Sequence, residues 1–471
     1  MSKKPRLKWS MLMAVSGCAA LLCAQGLPNQ GPDTTYQRAV ADYNAGRYPL
    51  AAHRLEALLP FAARNFEVHE LLGLVYASMS ENAKALDQLQ FAVQLRPDSA
   101  AGRVNLGAIL LQLGKGTQAA GQFKKALQLE PTNYDANHDL GDLYAKTGQV
   151  AEAQPLLAAA YQANPHAYDN GYNFAMADFL LGRLDEARQV IQNLGKEKNT
   201  GELHNLLAQI DEKQGHFIDA ANEYEAAAHL DPSENNLFDW GSEMLLHRTY
   251  EPAITIFQAA VGRYPNSARL DIGLGLALYA RGEYDEAVKA LLKAAVLSPS
   301  DPRCFYFLSK AYDSSPNQAD EVIQAFRRYA ALEPENALAQ YYYALSLWKG
   351  HRSQGSAVDM HHVESLLKRA VSLNDRLPEA HLQLGDLYAD QHMYEKSVPE
   401  YEHALALNPD LSDAHYRLAT DYVHLGQKEK AEQEFAVYQK LRTAHLAEVD
   451  KEEAQIKQFV YSAKAAPSGN P

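Results

Sequence analysis

Cysteine is nearly absent from this chain. Only three occur in 471 residues, and two of them, Cys18 and Cys23, stand within the first 24. Cys304 is alone in the remainder, so the body holds neither an internal disulfide nor a cysteine-based zinc site. Long apolar runs are lacking too: the one from Met11 to Leu22 has about a dozen residues, short of the roughly 20 that span a membrane. Basic charge is in deficit. The formal net charge is −14, and without Lys3, Lys4, Arg6 and Lys8 it is −18, 40 basic residues against 58 acidic. So acidic a body repels phosphate backbones, which argues against nucleic acid as a partner.

Catalytic signatures are missing as well. There is no His-Glu-x-x-His and no Gly-x-Ser-x-Gly, and Gly114-Lys115-Gly116-Thr117 lacks the first glycine and the preceding strand of a phosphate loop. The expectation is a protein that is not an enzyme, with no catalytic residue, no cofactor and no metal ligand. Histidine is the one residue type unevenly spread, since nine of 17 lie between His351 and His445. A metal site would need convergent imidazoles oriented by further hydrogen bonds.

What is present begins with an export-type leader, residues 1–24. Lys3, Lys4, Arg6 and Lys8 precede the apolar run, which ends in small residues near Ala24. Cleavage after Ala24 is one reading. The other takes Val15-Ser16-Gly17-Cys18 as a lipoprotein box that makes Cys18 a lipidated N-terminus. Either way the chain is expected to cross the inner membrane, to be periplasmic or secreted (or lipid-anchored), and to keep no membrane span after processing.

The body is periodic. Pro97, Pro131 and Pro165 are 34 residues apart, and Pro232, Pro265, Pro299, Pro334 and Pro409 continue the series. A proline at constant phase marks a recurring helix end. Between prolines one unit runs Leu106-Gly107, Leu110, Gly114, Ala119, Phe123, Ala126, Pro131, and the next Leu140-Gly141, Tyr144, Gly148, Ala153, Leu157, Ala160, Pro165. Mid-helix glycines such as Gly107, Gly141, Gly275 and Gly385 cost roughly 1 kcal/mol each against alanine, so they imply a neighbouring helix pressed close. Gly114, Gly148, Gly182, Gly215, Gly282 and Gly426 read as left-handed stops of a first helix. Ala119, Ala153, Ala187, Ala220, Ala253 and Ala287 mark its crossing with a second. Such pairs cannot bury their apolar faces alone and must stack.

This pattern resembles the tetratricopeptide repeat family from about residue 32 to 445, with units starting near 32, 66, 100, 134, 168, 201, 234, 268, 302, 337, 378 and 412. The resemblance implies an all-α solenoid of about twelve helix–turn–helix repeats in a right-handed superhelix. We divide it into N-terminal units at 32–200 and C-terminal units at 201–445, then a capping helix at 446–462 and a disordered tail at 463–471. Gly195 to Gly201, where a second helix breaks off, is the expected hinge or bend. Lys349 to Met360 is expected as a surface insertion. His69, His204, His381 and His415 share the fourth place of their units, which suggests helix packing rather than ligation.

The resemblance also implies that the inner face of the first helices lines a concave groove for a protein or peptide partner. Carried across, its lining is Tyr172, Met176, Phe179, Phe238, Leu245, Ile272, Leu276, Tyr279, Tyr306, Tyr341, Leu345 and Trp348. If these bind a partner, Tyr279, Tyr306, Tyr341 and Trp348 should stay substantially exposed. The Lys–Asn pairing that clamps acidic C-termini in some relatives is missing, the corresponding pairs being Glu70/Leu74, His138/Asp142 and Asn205/Gln209. The expected function is an exported scaffold or adaptor, for instance in an envelope or secretion complex. The alternatives are the repeat portion of a glycosyltransferase or hydrolase system, and a histidine-based metal-binding protein.

Overall fold

The computed structural model describes residues 32–315, 317–354 and 359–443, together with Ala454 and Lys457. Every regular element among them is an α-helix, and the helices come in antiparallel pairs of nearly constant length. The first six are α1 (Pro32–Asn44), α2 (Tyr48–Leu58), α3 (Phe66–Ser78), α4 (Asn82–Leu95), α5 (Ala100–Gln112) and α6 (Gly116–Leu129). Next come α7 (Tyr134–Lys146), α8 (Val150–Ala163), α9 (Tyr168–Leu180), α10 (Leu184–Glu197), α11 (Gly201–Gln214) and α12 (Phe217–Leu230). Then follow α13 (Glu234–Leu246), α14 (Tyr250–Arg263), α15 (Ala268–Arg281), α16 (Tyr284–Leu297), α17 (Pro302–Ser314) and α18 (Ala319–Leu332). The series closes with α19 (Ala337–Gln354), α20 (Met360–Leu373), α21 (Pro378–Asp390), α22 (Tyr394–Leu407), α23 (Ser412–His424) and α24 (Lys428–Thr443). The first helix of each pair begins where the sequence period sets its start.

Local chemistry starts and stops these helices. Asn65, Ser99 and Asn133 each accept a hydrogen bond from the backbone N–H three residues on, at 2.9, 3.0 and 3.0 Å, which satisfies a donor the helix cannot. In eleven of the pairs the first helix turns into the second through a left-handed residue. Gly114 and Gly148 take φ of +71° and +84° there, while Ser80, Arg248, Gln318 and His392 reach about +60° without being glycine. The four departures explain why glycine phase alone marks only part of the array.

The pairs close through small residues. All six crossing alanines, Ala119, Ala153, Ala187, Ala220, Ala253 and Ala287, are fully buried. A Cβ on Gly107 would stand 2.5 Å from Cε1 of Phe123, so glycine lets the second helix lie against the first.

The chain divides into two compact units, with the boundary between Ala220 and Ala221, inside α12. α11 belongs with the N-terminal unit for a physical reason. Its Leu203, Leu206 and Ile210 share a core with Tyr172, Met176, Ile191 and Leu194 of α9 and α10. Arg188 of α10 is also paired with Asp211 of α11.

α10 ends at Glu197, inside the Gly195–Gly201 stretch where the sequence marks a break, and buried Leu194 keeps its last turn packed in that shared core. The link to α11 is pinned by Tyr168, whose hydroxyl meets Thr200 Oγ1 at 2.6 Å and donates to Glu202 at 2.8 Å. Within the expected insertion, Lys349 to Met360, α19 continues to Gln354 and α20 begins at Met360. The leader (1–24), the tail (463–471) and, apart from Ala454 and Lys457, the expected capping helix (446–462) lie outside the described residues.

Candidate functional site

Within each unit the second helices stand between successive first helices, and the first helices also touch one another along one face.

In the N-terminal unit this face is acidic. α3 supplies Glu67 and Glu70, α7 supplies Asp135, Asp139 and Asp142, α9 supplies Asp169, and α11 supplies Glu202. Contacts one repeat apart run along it: Asn105 Nδ2 donates to Glu70 at 3.2 Å, and Asn173 Nδ2 donates to Asp142 at 3.3 Å. Tyrosines stand between the carboxylates, and burial together with those negative charges pushes Tyr36 and Tyr134 up to about 12.

Glu70, Asp135, Asp139 and Asp142 are poorly solvated, whereas Glu67 is paired with Arg96. Burial raises Glu70, Asp135 and Asp142 above the ordinary carboxylate range, Asp142 in spite of its ion pair with Lys146. Asp139 is pushed up to about 6, by burial first and then by the like charges of Asp135 and Asp142, against the opposing pull of His138 and Lys146. A positive charge arriving beside these carboxylates would lessen repulsion already present.

The residues expected to line a groove are mostly core instead. Tyr172, Met176, Phe179, Phe238, Leu245, Ile272, Leu276, Tyr341 and Trp348 are all buried, and the exposure expected of Tyr341 and Trp348 is not found. The reason is stacking: in this chain the large side chains of one first helix are covered by the next repeat. Lys213 lies over the Phe179 ring at 3.8 Å, Arg269 over Phe238 at 4.4 Å, and Trp348 belongs to the main core of the C-terminal unit. Only Tyr279, Tyr306 and Leu345 remain half-buried. Sequence reasoning missed the carboxylates because it searched those places for aromatics, although the recurrence of Asp and Glu there was available to it.

Three of the four fourth-place histidines adopt one geometry. Nδ1 of His69, His381 and His415 meets Gln88, Glu400 and Glu434 on the second helix of its own repeat. Nε2 meets a backbone carbonyl six residues upstream, of Ala63, Asp375 and Pro409. They fasten helix to helix, and His204 instead meets Asn199.

Asp211, His216 and Asp219 hold three ligand-type atoms within 4.8 Å of one another, a grouping that the repeat period does not announce. Asp211 is the buried member and already accepts from Arg188, whose charge disfavours a second cation. Cys304 is buried and donates to the Leu291 carbonyl at 3.1 Å, and burial pushes its thiol up, away from the reactive thiolate.

Models of the tetratricopeptide repeat match residues 110–158, 148–210, 247–302 and 378–411. Among curated proteins the chain is similar to Protein O-mannosyl-transferase TMTC3 of Mus musculus, 24% identical over 195 residues, 38% of this chain and 20% of that protein. The Homo sapiens protein of the same name is 23% identical over 200 residues, 39% and 21% of the two chains. The chain thus spans about a fifth of the length of these curated relatives. Among solved structures it is similar to yeast Tom70, with a TM-score of 0.36, 16% identity and coverage of 92% of this chain and 95% of that one. It is also similar to PilW, a type IV pilus biogenesis factor, with a TM-score of 0.37, 24% identity and coverage of 44% and 96%.

Proposed function

The chain is a tetratricopeptide repeat protein, and on that premise we propose that it is an exported, non-catalytic adaptor whose N-terminal unit holds a basic segment of a partner protein. The supporting observation is the group of poorly solvated carboxylates Glu70, Asp135 and Asp139 on first helices of that unit. Lysine or arginine side chains laid along them would neutralise charges that now repel one another. Tyr36, Tyr134 and Tyr168 would pack against their aliphatic stems.

Export rests on the leader. The mature chain is expected to begin near Gln25 or at a lipidated Cys18, and to work in the envelope or outside the cell. Intact-mass measurement of protein from a bacterial envelope tests this, and a cytosolic chain retaining Met1 contradicts it. Titration of the full chain with a lysine- and arginine-rich peptide, beside a glutamate-rich peptide of equal length, tests the partner chemistry. Only the basic peptide should bind, and its affinity should fall with ionic strength.

A second reading makes the chain a repeat-containing partner of a glycosyltransferase. It draws only on the name of the curated relatives, and co-purification of transferase activity with the chain would favour it.

A further inference from the structure

The eleventh place of a first helix meets the second helix of the preceding repeat, and three tyrosines there make the same contact. Tyr76 of α3 donates its hydroxyl to Glu56 of α2 at 2.6 Å, and Tyr422 of α23 donates to Glu402 of α22 at 2.7 Å. Tyr388 of α21 donates to Glu364 of α20 at 3.1 Å. Over each ring lies an ammonium from the third place of that tyrosine's own second helix. Lys84 is 5.1 Å from the Tyr76 centroid, Lys396 5.6 Å from that of Tyr388 and Lys430 5.0 Å from that of Tyr422. The three tyrosines are buried, whereas Glu56, Glu402 and the three lysines are exposed. A carboxylate at the hydroxyl and a cation over the ring polarise the same group, so the two contacts reinforce one another. Glutamate, tyrosine and lysine thereby join three helices of two repeats.

Other junctions lack this set. Leu110, Met244, Leu278 and Leu347 hold the eleventh place of their helices, and Tyr312 holds it with a buried hydroxyl that has no hydrogen-bond partner. Asp178 and Asp211 hold it on α9 and α11, where they meet Gln154 and Arg188. Tyr144 of α7 keeps the ring with the charges exchanged. The place of Glu56 belongs there to Lys124, 5.5 Å from the ring centroid, and the place of Lys84 belongs to Glu152. Among the described residues no carboxylate accepts from the Tyr144 hydroxyl.

We infer that the three Glu–Tyr–Lys sets are clasps that hold the outer described repeats in place and slacken as ionic strength rises. The clasp of Tyr76 holds α1 and α2, and those of Tyr388 and Tyr422 hold α21 to α24. Their charged groups reach water, where salt screens them, while the tyrosine between them stays covered. The junctions of α14 with α15, α16 with α17 and α18 with α19 rest on one continuous apolar core instead. Rim pairs there, such as Arg281 with Glu251, are too exposed to carry a junction.

The first clasp also bears on the acidic face. It fixes the repeat of α1 against α3, where Tyr36 feels the negative charges of Glu67 and Glu70. Release of that clasp takes Tyr36 away from them, so salt acts on this face through its geometry as well as through screening.

Hydrogen exchange of the full chain, read by mass spectrometry at about 0.05 M and about 1 M sodium chloride, tests the inference. The ends of any solenoid fray, so what counts is the dependence on salt and on a single hydroxyl. In the parent, salt should speed exchange about threefold or more in α1, α2 and α21 to α24, and leave α15 to α18 unchanged. At low salt Tyr76→Phe should speed exchange about fivefold in α1 and α2, and Tyr422→Phe should do the same in α23 and α24. The salt response of those helices should shrink in both variants. Tyr144→Phe should match the parent. A salt response spread evenly over the described helices overturns the inference, and so does a Tyr76→Phe, Tyr422→Phe double variant that exchanges like the parent. If the variants fail to fold, the salt comparison on the parent decides alone.

Discussion

A Cβ on Gly385 would stand 2.6 Å from Cε1 of Tyr401, the ring whose hydroxyl donates to Asp386 at 2.8 Å. Two helices are thus closed over a tyrosine whose position is fixed at its tip as well as its edge. Gly385→Ala gains helix propensity worth roughly 1 kcal/mol, yet forces the ring out of place. Overpacking costs about 1–3 kcal/mol, more than the propensity returns. The variant should melt at lower temperature, and an unchanged or higher melting temperature would show that the ring moves freely.

Trp348 and Tyr279 separate core from surface. Trp348 is 5% exposed, within the main cluster of the C-terminal unit, whereas Tyr279 is half-buried. Trp348→Ala should cost about 3–5 kcal/mol through cavity formation, and Tyr279→Ala distinctly less. Denaturant unfolding of both variants checks the order. Equal losses would contradict the placement of these rings.

Asp139 is held in a form the fold does not favour when ionised. Its carboxyl is raised from 3.8 to about 6 in the folded protein. The folded state therefore keeps a proton that the unfolded chain gives up. Stability contributed by this group is present below about pH 4 and is lost as the pH climbs through 6. Asp139→Asn removes that loss. The variant should be more stable than the parent above pH 6, by on the order of 1 kcal/mol, and indistinguishable near pH 4. Melting curves at the two pH values decide, and a destabilised variant at pH 7 would overturn the assignment.

How far the sequence was legible follows from the kind of signal each feature leaves. Proline phase, the crossing alanines and glycines such as Gly107 encode packing distances that recur in every unit, so the helix pairs and their starts could be read directly. Turn residues such as Ser80 and His392 could not, because a left-handed backbone at a polar residue leaves no compositional mark. The apolar places of the first helices were legible as large side chains but not as core or surface. Phe238 and Tyr306 both occupy the fifth place of their units, yet one is buried and the other half-buried, which a period does not specify. The acidic face depends on the same placement. Asp135 and Asp139 are neighbours one turn apart on α7, and stacking adds Asp169 of α9, whose charge reaches Tyr134 beside them.

The most direct test of the proposed function is a calorimetric titration of a lysine- and arginine-rich peptide into the full chain and into the Asp135→Asn, Asp139→Asn double variant. Neither substitution removes a hydrogen-bonded core group, so the variant should fold at least as stably as the parent at pH 7. The account predicts that the parent binds and that the double variant binds at least tenfold more weakly, a change of about 1.4 kcal/mol. Equal affinity in a folded variant, or no binding by the parent at low salt, would contradict it.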